Sequence, residues 1–122
     1  MFSIYCGDLM IGTSDLGGVD AGMGVAVGAF FPTEDYEKVR KHFRLFTEAT
    51  FEKAPPDEEM LGRFYARNSR FRFAVIAPDG TTVPLFTCLV RDYSVELPDL
   101  GLEAYQVEVQ LSEQSAWFHG RA

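Results

Sequence analysis

The pattern of apolar and polar positions in residues 2–13 predicts a β-hairpin at the start of the chain. Every second residue on either side of Gly7-Asp8 is apolar, apart from Thr13. The dipeptide suits a two-residue turn, because a glycine in the first position adopts positive φ without a steric penalty. A loop is predicted over residues 14–22. The predicted register pairs Cys6 with Leu9, Ile4 with Ile11, and Phe2 with Thr13.

A third strand is predicted over residues 23–31, and one of its faces carries little side-chain bulk. Gly24, Ala26 and Gly28 share that face with Phe30, because alternate residues of a strand point the same way. Small residues in a row let another segment approach the backbone closely. We expect a packed helix to cover this face, and a ligand pocket between the face and a helix is the alternative.

From residue 33 the apolar positions recur at steps of three and four, which is typical of amphipathic helices. Thr33 is a suitable N-cap, and acidic residues follow it at the positive end of the helix dipole. A helix of about five turns is predicted to end before Pro55-Pro56. Its apolar stripe is Tyr36, Val39, Phe43, Phe46 and Thr50. A second helix is predicted from Pro56 or Asp57, with the apolar residues Met60, Leu61, Phe64 and Tyr65.

After residue 70, the side-chain pattern again repeats every second residue, which predicts three more strands. The turn Pro78-Asp79-Gly80 pairs Ala77 with Thr81, Val75 with Val83, and Phe73 with Leu85. Pro84 has no amide hydrogen to donate, so it marks a sheet edge or a bulge. After a loop around residues 97–99, residues 105–111 alternate strictly, and their polar face should meet water. The tail carries Trp117 and is expected to dock on the domain.

The predicted order of elements is therefore β-β-β-α-α-β-β-β. Strands in runs with helices between them predict an α+β fold, an antiparallel sheet of about six strands with two helices packed on one side. The chain has 122 residues. This is below the length at which one hydrophobic core splits, so a single domain over residues 1–122 is expected.

Composition and net charge exclude several classes of protein. At 47% hydrophobic residues, the chain can build a core and is not disordered as a whole. No apolar run is long enough to cross a membrane, and the first residues lack the pattern of a secretory signal. A cytoplasmic location is therefore expected. The net charge of −7 argues against binding to DNA or to anionic lipid, because both require cationic contacts.

The charges are segregated along the chain. Residues 1–37 contain six acidic residues and no Lys or Arg, and residues 73–122 contain seven acidic residues against two arginines. Residues 38–72 contain nine basic residues against five acidic ones. We predict that the basic middle folds against the acidic ends with compensating charges, and a dedicated binding face is the alternative.

No residue pattern typical of catalysis or metal binding is present in the sequence. His42 and His119 lack the spacing of a metal site, and His42 is expected at the surface or its boundary. Cys6 and Cys88 are predicted to be buried, reduced thiols. A Cys-His nucleophile would require these residues to meet in a cleft, which the sequence leaves open. No cofactor, no metal and no enzyme activity are predicted.

The glycine-rich segment has a structural interpretation. Gly22, Gly24 and Gly28 form G-x-G-x-x-x-G, one residue longer than the dinucleotide-binding fingerprint. They also lead into a strand, whereas the fingerprint requires a helix N-terminus to receive the pyrophosphate. Asp15 and Asp20 are predicted to stabilise turns, because no ladder of cation ligands accompanies them.

The arginines of the middle segment are the candidate binding residues. They are densest between residues 63 and 72, where aromatic residues interleave with them in a pattern better explained by a core face. A guanidinium fork matches carboxylate and phosphate groups, so a small anion, an RNA segment or an acidic protein is a conceivable ligand. The predicted binding residues are Arg40, Arg44, Arg63, Arg67 and Arg70.

The stretch MGVAVGAFFPT, which follows Asp20, resembles a run shared by small uncharacterised bacterial proteins. In those proteins a similar M-G-V-A-x-G-x-F-x-P-T stretch follows an N-terminal hairpin. The resemblance covers about the first third of the chain and implies a bacterial origin. It implies no activity, so no functional residue is transferred from it.

Charge segregation without a catalytic arrangement favours an acidic, non-catalytic protein-interaction domain. An immunity-like or antitoxin-like protein and an assembly subunit are concrete forms of this hypothesis. The partner would be another protein or a second copy, while DNA and membranes are not expected and RNA is not favoured. The alternative is a binding protein for a small anion or small molecule, or a minor enzyme, with a pocket at Gly24, Ala26 and Gly28.

Overall fold

The structure is a computed structural model that describes residues 1–20 and 22–112. The described strands are β1 (Phe2–Cys6), β2 (Leu9–Ser14), β3 (Gly18–Asp20), β4 (Val25–Pro32), β5 (Phe73–Ile76), β6 (Leu85–Asp92) and β7 (Tyr105–Leu111). The α-helices are α1 (Glu37–Thr50) and α2 (Glu58–Asn68), and 3-10 segments cover Glu34–Tyr36 and Pro98–Ala104. The predictions for Trp117 and His119 lie outside the described residues.

The strands form one antiparallel sheet, which confirms the predicted α+β fold. Its order is β5-β1-β2-β4-β7-β6, and β3 pairs with β4 as a seventh strand where about six were predicted. The sheet curls until its two end strands, β5 and β6, contact each other. The segment between them also folds back on β5, where Ile76 bridges to Thr82 and the Val83 amide donates to the Val75 carbonyl at 2.8 Å. The sheet is therefore nearly barrel-shaped. Helix α1 packs on β6, and α2 packs on α1.

The first hairpin has the predicted turn but a shifted register. Gly7 has a φ of 61°, as the turn requires. Opposite Ile4, however, β2 contains one extra residue, Ile11, so that Ile4 lies opposite Gly12. Two predicted pairs are therefore wrong: Ile4 with Ile11, and Phe2 with Thr13. The bulge preserves the core, because both isoleucines remain fully buried.

The predicted loop over residues 14–22 contains β3, and its first part covers the small-residue face of β4. A Cβ atom on Gly28 would lie 2.5 Å from Asp15 Oδ1 and 2.8 Å from the Leu16 amide nitrogen. At Gly28, the segment that approaches this face is thus the β2–β3 loop and not the predicted helix. The loop occupies the space directly above Gly28.

The predicted long helix begins later than expected. The Thr33 hydroxyl donates to the Met10 carbonyl and does not cap the helix. The chain therefore enters through the 3-10 turn Glu34–Tyr36 before α1 starts at Glu37. The apolar stripe is confirmed, with Thr50 only partly buried and the other four residues buried.

Helix α2 starts as predicted. The Asp57 side chain accepts a hydrogen bond from the Met60 amide at 3.1 Å and so caps the helix. Phe64 is fully buried, whereas Tyr65, which was predicted on the apolar side, is exposed. The polar residue Asn68 takes the buried position one turn after Phe64. Neither α-helix in the described part of the chain is long and apolar enough to cross a membrane.

The second hairpin keeps the predicted register only near its turn. Ala77 hydrogen bonds to Thr81 and Val83 to Val75, and Gly80 has the expected positive φ. The predicted pair Phe73 with Leu85 is wrong, because the chain leaves β5 at Pro84 and β6 pairs with β7. The polar face of β7 meets water as predicted. The predicted loop around residues 97–99 leads into the 3-10 segment.

Side chains from both helices protect the edge strand β6. Its carbonyl at Cys88 accepts a hydrogen bond from Asn68 Nδ2 at 3.2 Å, and its carbonyl at Asp92 accepts one from Arg44 Nη1 at 2.7 Å. An open strand edge is a template for pairing with other chains. The polar residues Arg44 and Asn68 thus attach the helical layer to the sheet and shield its edge.

Candidate functional site

The structure divides the five predicted binding arginines into two groups. Arg40 and Arg44 on α1 contact β6 and the loop that follows it. Arg63, Arg67 and Arg70 line an open groove between α1 and α2. Because the two groups lie on different flanks of α1, the five residues do not form one site.

Arg40 belongs to a polar cluster around the buried carboxylate of Asp92. Arg40 Nη1 donates to Asp92 Oδ2 and to the Tyr105 hydroxyl, both at 2.9 Å. The Tyr36 hydroxyl donates to the same Asp92 oxygen at 2.7 Å, and Ser94 donates to Oδ1 through its amide and its hydroxyl. Burial and the Asp92 carboxylate raise the pKa of Tyr36 far above its ordinary value. Both Asp92 oxygens are saturated, so the cluster cross-links α1 to β6.

Arg44 forms a two-point ion pair with Glu96. Its Nη1 and Nη2 atoms each lie 2.6 Å from a Glu96 carboxylate oxygen. These hydrogen bonds lower the pKa of Glu96 and raise the pKa of Arg44. Here the predicted compensation between the basic middle and the acidic C-terminal part is confirmed. Arg44 itself is buried, so it is not available to a ligand.

The open groove between α1 and α2 has an apolar floor and a cationic rim. Its volume is about 390 Å³. The floor contains Leu45 and Ala66, and the rim consists of Lys41, Arg63, Arg67 and Arg70. All four cationic residues are exposed. We call this surface the basic groove.

Helical spacing explains how the basic groove forms. On α2, steps of three and four residues bring Arg63, Ala66 and Arg67 to one side, whereas Phe64 faces the core, and Arg70 joins them from the turn after the helix. On the facing helix α1, Lys41 and Leu45 are one turn apart and line the other side of the groove. Sequence reasoning missed Lys41, because its place in the groove depends on the packing of α1 against α2.

The cations of the basic groove are largely free of intramolecular partners. Arg63 Nη2 lies 3.6 Å from Glu59 Oε1, and both of these side chains are mostly exposed. Lys41, Arg67 and Arg70 form no salt bridge with any residue in the ranges 1–20 and 22–112. Within the described part of the chain, the groove therefore carries more positive than negative charge, on a protein with a net charge of −7.

Two other surface depressions have different linings. One of about 480 Å³ lies beside the β2–β3 loop and is lined by Asp15, Gly28 and Glu103, among others. The second, of about 450 Å³, lies between the end of α2 and β6, and its lining mixes aromatic residues such as Tyr65 and Phe86 with polar ones such as Ser69 and Gln110. In the second depression, the Ser69 hydroxyl donates to the Ala66 carbonyl and Thr87 Oγ1 accepts from Asn68 Nδ2, so neither hydroxyl is paired with a base as a nucleophile would be.

The two thiols and the described histidine are buried and line none of these three depressions. Burial raises the pKa of the Cys88 thiol to about 12. His42 lies between the rings of Phe64 and Phe71, with Nε2 2.9 Å from Asn68 Oδ1, and burial lowers its pKa. The prediction that His42 lies near the surface is therefore wrong. Among the described residues, no cluster of His, Cys, Asp and Glu could hold a metal ion.

An exposed aliphatic surface was not recognised in the sequence. The 93–104 loop, which connects β6 to β7, exposes four aliphatic side chains to solvent: Val95, Leu97, Leu100 and Leu102. The period of these residues fits neither a helix nor a strand, so the pattern gave no signal. Comparisons of the whole chain with protein-family models, curated proteins and solved structures found no significant match.

Proposed function

We propose that this protein is a non-catalytic interaction domain that binds an acidic segment of a protein partner in the basic groove. The observation that carries this proposal is the difference between the cations that are paired with a carboxylate of the fold and those that are not. Arg40, Arg44 and Arg91 are each neutralised by a carboxylate of the fold. Lys41, Arg67 and Arg70 have no such partner among the described residues, and they line one groove. Carboxylates of a partner would complete these interactions.

The shape of the basic groove favours a protein segment over a small anion. A small ligand is held tightly when a pocket buries most of its surface and desolvates the groups that bind it. Here all four cations are exposed and their charges are screened by water. A protein segment gains more binding free energy than a small anion, because its aliphatic side chains can cover Leu45 and Ala66 while its carboxylates pair with the cations of the rim.

The overall charge disfavours RNA as the partner. Nucleic acid binding depends largely on neutralising phosphates with Lys and Arg side chains. The basic groove supplies four cations, and the remainder of the molecule is acidic enough to give the net charge of −7. A segment with a few carboxylates meets the groove without bringing a long polyanion close to that acidic surface.

An immunity-like protein, an antitoxin-like protein and an assembly subunit all remain concrete forms of this proposal. They share the requirement for a stable complex with a protein partner. The alternative, a small-anion binder, would use the same four cations and can be tested alongside it. The two differ in the size of the ligand that the groove holds.

The test is an NMR titration of the ¹⁵N-labelled protein with defined probes. The first probe is a short peptide of alternating Glu and Leu, and its neutral counterpart replaces every Glu by Gln. Inorganic phosphate and a single-stranded RNA oligonucleotide are the competing probes. We expect the acidic peptide alone to shift the amide signals of residues 41–45 and 63–70.

Two variants make the titration specific. Arg67→Glu with Arg70→Glu should abolish peptide binding, because it reverses half of the groove charge. Arg72→Glu is the matched control, since Arg72 is also exposed but lies outside the groove. Stronger binding of RNA or phosphate than of the peptide, or peptide binding that survives the double reversal, would contradict the proposal. So would the absence of any shift with the peptide.

A further inference from the structure

The charges of the helical segment are divided along the chain. Residues 38–47 and residues 60–72 contain basic residues and no acidic one. Residues 48–59, which end α1, connect the two helices and begin α2, contain five acidic residues and one lysine. The connection between the helices is therefore acidic, while the remainder of both helices supplies the cations.

The antiparallel packing of α1 and α2 turns this division into a difference between the two ends of the helical pair. The Asp57 amide donates to the Ala49 carbonyl at 2.8 Å, which joins the end of α1 to the start of α2. At the other end, His42 Nε2 lies 2.9 Å from Asn68 Oδ1, which joins the first half of α1 to the end of α2. Segment 48–59 therefore forms one end of the pair, and the cations lie towards the opposite end.

The basic groove runs along this charge difference. Its cations other than Arg63 lie towards the end at which α1 begins and α2 finishes. Glu48 lies two turns after Lys41, about 10 Å along the axis of α1 and on nearly the same side of the helix. Glu59 lies one turn before Arg63, and its Oε1 atom is 3.6 Å from Arg63 Nη2. Both carboxylates lie just beyond the lining of the groove, and we call them the acidic end of the groove.

The carboxylates of the acidic end are exposed and only loosely paired. Glu48 lies 3.7 Å from Arg44, whose two Nη atoms are each held at 2.6 Å by Glu96. The Glu59 side chain is 85% exposed, and its 3.6 Å contact with Arg63 is longer than a hydrogen bond. The acidic end therefore presents negative charge to any segment that lies along the groove.

Two acidic residues at the start of α1 are paired with cations outside the groove. Glu37 accepts two hydrogen bonds from Arg40, at 2.9 and 2.6 Å, and Asp35 lies 3.1 Å from Lys38. Neither Arg40 nor Lys38 lines the groove. These pairs leave the groove cations at that end available to a partner.

We propose that the basic groove selects a partner segment of divided charge, with carboxylates at one end and neutral or basic side chains at the other. The inference rests on the proposed function and specifies its partner. The carboxylates of the segment pair with Lys41, Arg67 and Arg70. The other end of the segment meets the acidic end of the groove, which repels carboxylates and attracts ammonium or guanidinium groups. The division of charge also fixes the direction in which the segment lies.

The test compares two peptides of identical composition by NMR titration of the ¹⁵N-labelled full chain. The block peptide carries glutamates at one end, leucine and alanine in the middle and lysines at the other end. The mixed peptide has the same middle, but its glutamates and lysines are distributed over both ends. Because the peptides have equal net charge, the protein's charge of −7 acts equally on both. We expect the block peptide to bind about three- to tenfold more tightly, as two exposed charge pairs would produce.

Substitutions at the acidic end test the cause of this preference. Glu48→Gln with Glu59→Gln should remove most of the difference between the two peptides. The matched control is Asp8→Asn with Asp99→Asn, which removes the same charge at exposed positions outside the helical pair and should leave the preference unchanged. Circular dichroism confirms that each variant is folded.

A nitroxide label on the block peptide tests its direction in the groove. A label at the glutamate end should broaden the amide signals of residues 67–70 more than those of residues 57–59. A label at the lysine end should do the reverse. Equal broadening at both ends of the groove would overturn the inference, because the segment would then have no fixed direction.

The remaining outcomes separate this inference from the proposed function. Equal affinities of the two peptides, or a preference that survives Glu48→Gln with Glu59→Gln, would overturn the segment of divided charge. The proposed function has its own readout, because Arg67→Glu with Arg70→Glu should abolish binding of both peptides. Equal binding that this double reversal abolishes would therefore sustain the proposed function alone. The absence of binding by either peptide would overturn both.

Discussion

Arg40 and Asp92 join the basic middle of the chain to its acidic C-terminal part inside the fold. Arg40 Nη1 lies 2.9 Å from Asp92 Oδ2, and the Asp92 side chain is fully buried. The carboxylate also accepts the Tyr36 hydroxyl, so one acidic group holds two residues of the helical segment. This relationship explains why Arg40, a predicted binding residue, is not part of the open groove.

Removal of the Asp92 carboxylate should destabilise the protein strongly. Asp92→Ala leaves the Arg40 guanidinium and the Tyr36 hydroxyl without their shared acceptor, and we expect a loss of about 3 kcal/mol in the free energy of unfolding. Urea denaturation measures it. Asp99→Ala removes an exposed carboxylate and should change the same quantity by less than about 0.5 kcal/mol. Equal effects of the two substitutions would show that the buried cluster does not stabilise the fold.

The Arg44–Glu96 ion pair should make stability depend on pH in the acidic range. The pKa of Glu96 is lowered from its ordinary value of 4.5 in the folded protein. Its stabilising contribution is therefore complete above pH 4.5 and is lost as the pH falls through the lowered folded value. The difference in unfolding free energy between wild type and Glu96→Gln should shrink over that interval. A difference that is constant with pH would contradict the assignment.

Burial of His42 should have a separate effect near neutral pH. Its pKa is lowered from 6.5, because charging the ring between aromatic neighbours is unfavourable and the Arg67 charge adds to this. The unfolded chain then binds the proton more readily, so stability should fall as the pH drops below 6.5 towards the folded value. His42→Gln should reduce this slope between about pH 7 and about pH 5.5, whatever its effect on absolute stability. If urea titrations of the variant give the same change in unfolding free energy with pH as the wild type, groups other than His42 cause the pH dependence.

Two glycine-to-alanine substitutions should have opposite signs. A Cβ on Gly12 would overlap the ring of the fully buried Phe30, so Gly12→Ala should lower stability by about 1–3 kcal/mol. Gly62 lies inside α2 with open space around it, and Gly62→Ala should raise stability by about 0.5–1 kcal/mol. Thermal or urea unfolding of the two variants measures both changes in stability against the wild type. Stabilisation by Gly12→Ala would show that β2 and Phe30 are not in contact.

Cys88 should be inert towards alkylation in the folded protein. Its side chain is fully buried and its pKa is raised to about 12, so almost no thiolate exists at neutral pH. Iodoacetamide followed by mass spectrometry should find Cys88 unmodified under native conditions and modified in urea. Rapid native modification at Cys88 would mean that β6 opens readily.

Local periodicity was sufficient to predict most elements of the fold. The turns at Gly7 and Gly80, the Asp57 cap and the alternation of β7 follow from neighbouring residues alone. The bulge at Ile11 escaped prediction, because it depends on how tightly Gly12 packs under Phe30, which is distant in the sequence. Strand β3 was not predicted either, because it is defined by its pairing with β4 and not by its own residue pattern.

The candidate site was only partly predictable. Arg63 and Arg67 share a helix, Arg70 follows its last residue by two positions, and this spacing was enough to place the three together. Sequence could not show that Arg44 is buried on Glu96, because the two residues are 52 positions apart. It also could not bring Lys41 to the same groove, since that requires the packing of α1 against α2.

The amino-acid order alone determined the succession of strands and helices, the sharp turns and the separation of acidic ends from a basic middle. These properties depend on short-range periodicity and composition, which act before any distant contact forms. Tertiary structure alone decided which cations are neutralised and which stay open to a partner. Ion pairs form between side chains that folding brings within a few ångströms, and that proximity arises from packing and not from nearness along the chain.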